Sequence, residues 1–385
     1  MALRLPTADG RIEEYRIRTA PLPPAAPAPF SRIAFSAAHV VADPLADADP
    51  WTATAIDWER TIAFRHHLWD LGLGVAEAMD TAQRGMGLGW REAEELIRRS
   101  LDAAKGRAGA LIACGAGTDH LDPAVTHSPD AVIAAYEMQF EAIERLGGRV
   151  IMMASRALAR AAKGPEDYAR VYDRLLAQAS QPVIVHWLGD MFDPQLAGYW
   201  GTRDLDAATA TCLAVIAGHV SKVDGIKVSL LSKEREIAMR RQLPAGVRMY
   251  TGDDFNYAEL IAGENGYHSD ALLGIFDAIA PAAAAALGCL AAGDRDGFDT
   301  LLAPTVPLSR HIFKAPTWFY KTGIVYLAYL NGFQDHFRMI GGQESARSLV
   351  HLAELFRLAD AARVLADPDL ASERMRLVLA LGGVR

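Results

Sequence analysis

A single lysine interrupts the apolar run VDGIKVSLL at residues 223–231. Such a run is typical of a strand that is buried on both faces. Because burial disfavours the charged form of an amine, Lys227 must reach water, pair with an anion or lose its proton. A neutral amine can attack a ketone or aldehyde and form a Schiff base. Lys227 is therefore a candidate nucleophile, and the structural alternative is a salt bridge to Asp253 or Asp254 or a lysine that snorkels to solvent.

Further polar side chains stand at the carboxyl ends of other β-rich runs. They combine acids, bases and hydroxyl groups, which suits a small molecule rich in oxygen: Asp80, Thr81, Arg156, His186, Asp253, Asp254 and Ser269. His186 is a candidate for proton transfer, because imidazole titrates near neutral pH. A buried histidine held by hydrogen bonds explains that residue equally well.

The elements that must position these residues follow a strand–helix rhythm. Eight β-rich runs alternate with amphipathic helical stretches, at residues 32–41, 74–80, 109–117, 149–155, 182–189, 224–231, 247–254 and 266–272. This pattern predicts a (β/α)₈ TIM barrel, in which the ends of the strands converge on one mouth. A doubly wound sheet is the rival, but it usually carries a glycine-rich phosphate turn after its first strand, and the sequence has none there.

The pattern also predicts three regions. Residues 1–30 form an N-terminal hairpin extension followed by a Pro-rich, extended connector, residues 31–295 form the barrel, and residues 296–385 form a C-terminal helical bundle. The hairpin is indicated by alternating runs on both sides of a turn at Asp9-Gly10.

Composition excludes several classes of function. The 385 residues carry a formal net charge of -8 and no basic cluster, which argues against a nucleic-acid partner. No apolar run reaches the length of a membrane span, so we expect no membrane association. The three cysteines, far apart and without a CxxC pair, favour a reducing cytoplasm. The apolar C-terminal helices could bury a subunit contact, and we expect a homo-oligomer, a dimer or a tetramer.

Several motifs in register resemble one known family. GIKVS at 225–229, YTGDD at 250–254 and GENGYHS at 263–269 are similar to the dihydrodipicolinate synthase / N-acetylneuraminate lyase family of class I aldolases. GLGWREAEELI at 87–97 and QPVIVHWLG at 181–189 extend the likeness, which is nearest to a dihydrodipicolinate-synthase-like branch. The resemblance implies that Lys227 is the Schiff-base lysine, that Asp253 and Asp254 contact substrate hydroxyl groups, and that Ser269 lines the same pocket.

The sequence also departs from the family pattern. His186 stands where the family has its proton-shuttling tyrosine, and DTAQR at 80–84 replaces the loop that holds the substrate carboxylate, with only Thr81 retained. SRALAR at 155–160 replaces a tyrosine pair. Asp80 would repel a carboxylate, whereas Arg84 or Arg156 could bind one in a bidentate contact. Lysine biosynthesis is therefore not expected of this chain.

The leading hypothesis is a carbon–carbon lyase that acts on a small polyhydroxylated keto or aldehyde compound resembling a sugar acid. Lys227 would form the imine without any other cofactor, His186 would move the proton, and the acidic pair would orient hydroxyl groups. Asp80, Thr81, Arg156 and Ser269 would hold the remaining oxygen atoms. The partner is thus a small-molecule carbonyl substrate.

Two alternatives stay open. A divalent-metal isomerase or hydrolase would draw its ligands from scattered histidine and aspartate residues: Asp80, Asp119, His120, His186, Asp253 and His268. No HxH or HExxH spacing supports it. The third possibility is a barrel that binds a sugar-like ligand without catalysis, although a buried amine without a function costs stability.

Overall fold

The structure is a computed structural model that describes residues 2–23 and 29–384. Eight parallel strands form a closed barrel in the order β10-β3-β4-β5-β6-β7-β8-β9. The strands are β3 (Ala34–Ala37), β4 (Gly74–Glu77), β5 (Ile112–Ala116), β6 (Arg149–Met152), β7 (Val183–Leu188), β8 (Val223–Ser229), β9 (Arg248–Thr251) and β10 (Asp270–Leu273). Each lies within one of the eight runs or extends one residue past it, so the predicted TIM barrel is confirmed.

Helices cover the outside of the barrel and continue beyond its last strand. Those between the strands are α1 (Trp58–Asp70), α2 (Trp90–Ala104), α3 (Pro129–Arg145), α4 (Arg156–Ala161), α5 (Pro165–Gln178), α6 (Leu205–Gly218), α7 (Lys233–Arg240) and α8 (Tyr257–Ala262). Those after β10 are α9 (Ile275–Ala278), α10 (Ala280–Ala291), α11 (Arg295–Leu302), α12 (Thr305–Ile312), α13 (Tyr320–Leu330), α14 (Leu349–Ala361) and α15 (Pro368–Leu381).

Alternation along the strands separates two cores. Inward side chains such as Phe35, Ile151 and Ile184 fill the barrel interior, and outward ones pack against the helices in a much larger apolar core. The helices begin where the sequence supplies caps: Ser128 accepts a hydrogen bond from Ala131 at the start of α3, and Asp204 does the same for α6. This packing fixes the strand ends at the barrel mouth.

The N-terminal segment forms the predicted hairpin. Strands β1 (Leu3–Pro6) and β2 (Ile12–Tyr15) pair in antiparallel fashion, and β1 contacts α14 and α15. Part of the Pro-rich connector, residues 24–28, lies outside the described residues. Within the described chain, no helix is long and apolar enough to cross a membrane.

Candidate active site

Lys227 lies in the middle of β8 and points into the barrel mouth. In the strand register it stands beside His186 of β7 and Tyr250 of β9. The residue is only 8% exposed, and within the described part of the chain its Nζ forms neither a hydrogen bond nor an ion pair. Burial lowers its pKa, against the opposing charges of Asp254 and Asp80. The amine is thus desolvated and has no carboxylate seated on it.

The amine opens into a small cavity at the mouth, which we call the inner chamber. Its volume is about 30 Å³, close to the share of liquid volume that one water molecule occupies. Strand ends, the loops that follow them and the segment around α13 contribute its wall: Ala37, Met79, Asp80, Thr81, Arg84, Met86, Arg156, Leu188, Phe192, Asp193, Lys227, Ser229, Asp254, Gly274, Trp318, Tyr320 and Lys321. Its lining is rich in charged and hydroxyl groups.

Two carboxyl groups of the inner chamber act on the amine. Asp254 follows β9, accepts a hydrogen bond of 2.9 Å from the backbone N–H of Ile275, and is buried. Burial raises the pKa of Asp254 to about 7, so both of its protonation states are populated near neutral pH. Asp80 opens the short 3₁₀ turn Asp80–Ala82 after β4 and is half-buried. One acid that exchanges a proton near pH 7 therefore faces a desolvated amine.

His186 is adjacent to the amine but does not line the chamber. Its Nε2 lies 3.3 Å from Oγ of Ser229, and its Nδ1 has no partner among the described residues. Burial, and then the charge of Lys227, hold the pKa of His186 well below its usual value, so the ring is neutral. Ser229 does line the chamber, so its hydroxyl group contacts both the imidazole and the cavity.

A second lysine reaches the inner chamber from the C-terminal helices. Lys321 of α13 is buried, and its Nζ contacts the carbonyl oxygen of Trp318 at 3.1 Å and the Sδ of Met86 at 3.4 Å. Burial lowers the pKa of Lys321 to about 8, and no carboxylate among the described residues lies within ion-pair distance. Lys321 was not among the candidate residues selected from the sequence. The available signal was the one that singled out Lys227, a lone lysine inside an apolar run, WFYKTGIVYLAYL.

The same helix anchors the turn that carries Asp80. Tyr320 and Thr81 share a hydrogen bond of 2.9 Å between their hydroxyl groups, and both are buried. The Thr81 hydroxyl is therefore already engaged within the protein. This contact joins the loop after β4 to α13 across the mouth of the barrel.

A wider cavity, the outer pocket, continues from the inner chamber toward solvent. The two share Asp80, Arg84, Arg156, Leu188 and Asp193, and the outer pocket measures about 190 Å³. Arg156 at the start of α4 forms an ion pair with Asp193 at this junction.

Arg84 is held by its own partners. It forms a bidentate pair with Asp119 and donates to the carbonyl oxygens of Ala78 and Gly115 at 3.1 and 3.0 Å. Both arginines that could have replaced the carboxylate loop are thus paired within the protein.

Two residues selected from the sequence lie elsewhere. The carboxylate of Asp253 accepts hydrogen bonds from the backbone N–H groups of Phe255 and Asn256 and from the Asn256 side chain, within its own turn. Ser269 lies before β10 and donates to Glu236 of α7 at 2.6 Å. Neither residue lines the inner chamber or the outer pocket.

The candidate metal ligands are not assembled. Among the described residues, no three histidine, cysteine, aspartate or glutamate side chains are placed to hold a metal ion. His120 contacts Gln139 at 2.9 Å instead.

Solved structures of similar shape belong to one family. A putative dihydrodipicolinate synthetase from Pseudomonas aeruginosa superposes with a TM-score of 0.61 at 16% identity, over 84% of this chain and 99% of the other. A prophage protein of the dihydrodipicolinic acid synthase family from E. coli K12, solved in complex with pyruvate, has a TM-score of 0.63 at 12% identity. The superposition covers 91% of this chain and 99% of the other. Dihydrodipicolinate synthase from Acinetobacter baumannii, also with pyruvate, gives 0.62 at 14% identity, over 86% and 99%. A comparison with curated proteins found no match.

These likenesses show that the chain is a (β/α)₈ barrel with the dihydrodipicolinate synthase fold. Its sixth barrel strand carries a buried lysine, Lys227. The chain belongs to the family described as "Protein of unknown function (DUF993)", whose model matches residues 3–384.

Proposed function

We propose that this protein is a class I carbon–carbon lyase that binds its carbonyl substrate as an imine on Lys227. The observation that carries the proposal is the Lys227 Nζ itself: a buried amine, free of any ion pair among the described residues, that faces a small polar chamber. A structural lysine at this depth would be expected to hold a carboxylate. The likeness to structures solved with pyruvate supports the same chemistry.

The chemistry starts with the neutral amine, which attacks the carbonyl carbon and forms a carbinolamine. Protonated Asp254 supplies the proton with which the carbinolamine hydroxyl leaves as water, and a protonated imine remains. The resulting carboxylate of Asp254 then takes the proton of a substrate hydroxyl group two carbons from the imine carbon. The bond between the hydroxyl-bearing carbon and the carbon next to the imine breaks. Its electrons pass to the imine to form an enamine, and the hydroxyl-bearing carbon leaves as an aldehyde.

Protonation of the enamine carbon and addition of water return the second product and the free amine. We assign the proton transfers to Asp254 because it lines the chamber. His186 does not line the chamber, but its Nε2 lies 3.3 Å from Oγ of Ser229, which does, so the serine would connect the imidazole to the substrate.

Lys321 and Asp80 would bind the oxygen atoms next to the carbonyl. Lys321 carries a charge without a carboxylate partner in the described chain, so it suits a carboxylate or another anionic oxygen of the substrate. Asp80 and Ser229 suit hydroxyl groups. This set supports a small, oxygen-rich keto or aldehyde compound of the sugar-acid kind, with no cofactor beyond the lysine. The homo-oligomeric state and the cytoplasmic location stay predictions of the sequence.

The test is reductive trapping. Pyruvate and borohydride are added to the protein, and peptide mapping by mass spectrometry locates the reduced adduct, which we expect on Lys227. Mapping matters because Lys321 is a second amine in the same chamber. Lys227→Met should abolish the adduct, while Lys314→Met, at an exposed lysine, should leave it intact. Labelling of surface lysines only, or equal labelling in Lys227→Met, would disprove the imine mechanism.

A further inference from the structure

The outer pocket has more room than the reacting carbonyl needs. At about 190 Å³ it exceeds the engineered cavity of about 150 Å³ that holds a benzene molecule. It joins the inner chamber, because Leu188, Arg156 and Asp193 belong to both walls. A substrate attached to Lys227 can therefore extend into it.

Apolar side chains contribute the larger part of the free surface of this pocket. Side chains from the loops after β5 and β7 and from α4 form it: Leu121, Pro123, Val125, Ala157, Leu188 and Leu196. Val125 is 50% exposed, so its side chain is accessible to a molecule bound in this pocket.

Most charged groups of the same wall have partners within the protein. Arg84 is paired with Asp119, and Arg156 is paired with Asp193. Arg160 donates to the carbonyl oxygen of Pro123, at the exposed rim.

Two neutral polar contacts of the wall are also made within the protein. Thr118 and Ser155 share a hydrogen bond of 2.6 Å, and His127 Nε2 lies 2.9 Å from the carbonyl oxygen of Asp122. A hydroxylated tail would compete with these contacts for the same groups, whereas an apolar tail would leave them intact and cover the apolar side chains.

We infer that the outer pocket is a subsite for an apolar tail, an alkyl chain or one aromatic ring, on the substrate. The inference rests on the proposed function and specifies it: the oxygen atoms lie at the reacting end, and the aldehyde that leaves carries the apolar group.

The experiment compares three 2-oxo acids in the trapping reaction. They are pyruvate, 2-oxo-4-phenylbutanoate, and 2-oxo-3-deoxygluconate with its hydroxylated tail. We expect half-maximal trapping of the phenyl compound at a concentration roughly tenfold or more below the other two, as burial of a phenyl-sized group implies. Val125→Asp should reduce this preference, and Val220→Asp, at another exposed valine that does not line the pocket, should not.

Calorimetric titration with 4-phenylbutanoate, which has no carbonyl to trap, separates the two proposals. Binding that Val125→Asp weakens, in the absence of any adduct on Lys227, would support the subsite and disprove the imine mechanism. Adducts formed with no preference for the phenyl compound, together with no binding of 4-phenylbutanoate, would disprove the subsite and retain the lyase. Neither adduct nor binding would overturn both.

Discussion

Two lysines in one chamber are the central feature at the scale of single residues. Lys227 projects from a strand and Lys321 from a helix, yet burial lowers the pKa of both, to about 8 for Lys321. Of the carboxylates in the described residues, only Asp80 raises the pKa of both amines by its charge. The two amines can thus have different roles. Lys227 reacts as the neutral amine, while Lys321 remains a cation that binds an anionic oxygen of the substrate.

Room for the Lys227 side chain depends on Gly252. A Cβ atom at position 252 would lie 2.7 Å from Cε of Lys227 and 2.2 Å from Oγ of Ser229. We predict that Gly252→Ala displaces the lysine, slows trapping by roughly tenfold or more, and destabilises the fold by about 1–3 kcal/mol, the usual cost of overpacking. Trapping kinetics and urea unfolding measure the two effects.

Gly218→Ala is the matched control. Gly218 ends α6, and a Cβ atom there meets nothing within 4 Å. Alanine is the better helix former by roughly 0.5–1 kcal/mol, so this variant should be as stable as the wild type or slightly more stable. Trapping at the wild-type rate in Gly252→Ala would contradict the close packing around Lys227.

At the scale of elements, α7 is tied to the sheet by a buried acid. Glu236 accepts hydrogen bonds of 2.9 Å from Thr251 of β9 and 2.6 Å from Ser269, which precedes β10. Arg240, one turn later, donates to the same Ser269 hydroxyl at 3.1 Å. Burial raises the pKa of Glu236 to about 8, so the folded protein holds a proton there at neutral pH.

This proton makes stability depend on pH with a definite sign. Because the folded pKa of Glu236 is raised above that of the unfolded chain, its favourable contribution is complete below about pH 4.5 and is lost as the pH rises to about 8. Glu236→Gln removes the titration. Relative to this variant, the wild type should lose a few kcal/mol of unfolding free energy between pH 5 and 8, at about 1.4 kcal/mol per pKa unit.

Urea unfolding of both proteins across that range measures the difference, in which the other titrating groups cancel. Glu234→Gln, at an exposed position of the same helix, should follow the wild type at every pH. A constant difference between wild type and Glu236→Gln would show that Glu236 is ionised in the folded protein.

The sequence predicts elements better than it predicts the partners of a side chain. The β-rich runs predicted all eight barrel strands, and a lone lysine in one of these runs singled out Lys227. The sequence could not show which member of the acidic pair at 253–254 faces the chamber. In the fold, Asp254 lines the chamber, whereas Asp253 bonds to residues of the turn that it belongs to. Ser269 illustrates the same limit. It lies just before β10, and its hydroxyl group donates to Glu236 of α7 instead of lining the barrel mouth.

At the scale of the whole molecule, the C-terminal helices have two roles. They contribute side chains to the inner chamber, and they hold the N-terminal hairpin. Lys321 and Tyr320 reach the chamber although Tyr320 lies 239 residues beyond its partner Thr81. No local pattern contains such a contact, which is why the C-terminal helices were predicted only as a bundle. The N-terminal hairpin is held in the same way, by a residue of α14.

Asp360 of α14 is one of the residues that join the C-terminal helices to the N-terminal segment. Its buried carboxylate accepts hydrogen bonds from the hydroxyl groups of Tyr15 and Thr19, at 2.5 and 2.6 Å, and from the backbone N–H groups of Arg18 and Thr19, at 2.9 and 3.1 Å. Its removal would leave these donors unpaired unless water reaches them.

We therefore predict that Asp360→Ala releases the hairpin from α14 and lowers the unfolding free energy by about 2–4 kcal/mol, given roughly 1–3 kcal/mol for each buried donor left unpaired. Urea unfolding measures the loss, and faster proteolysis between residues 3 and 19 would locate it. Asp47→Ala, at an exposed loop position, should change neither. Asp360 does not line the inner chamber or the outer pocket, so trapping on Lys227 should persist in Asp360→Ala. Loss of trapping in this variant would mean that the hairpin supports the barrel mouth as well as the helices it covers.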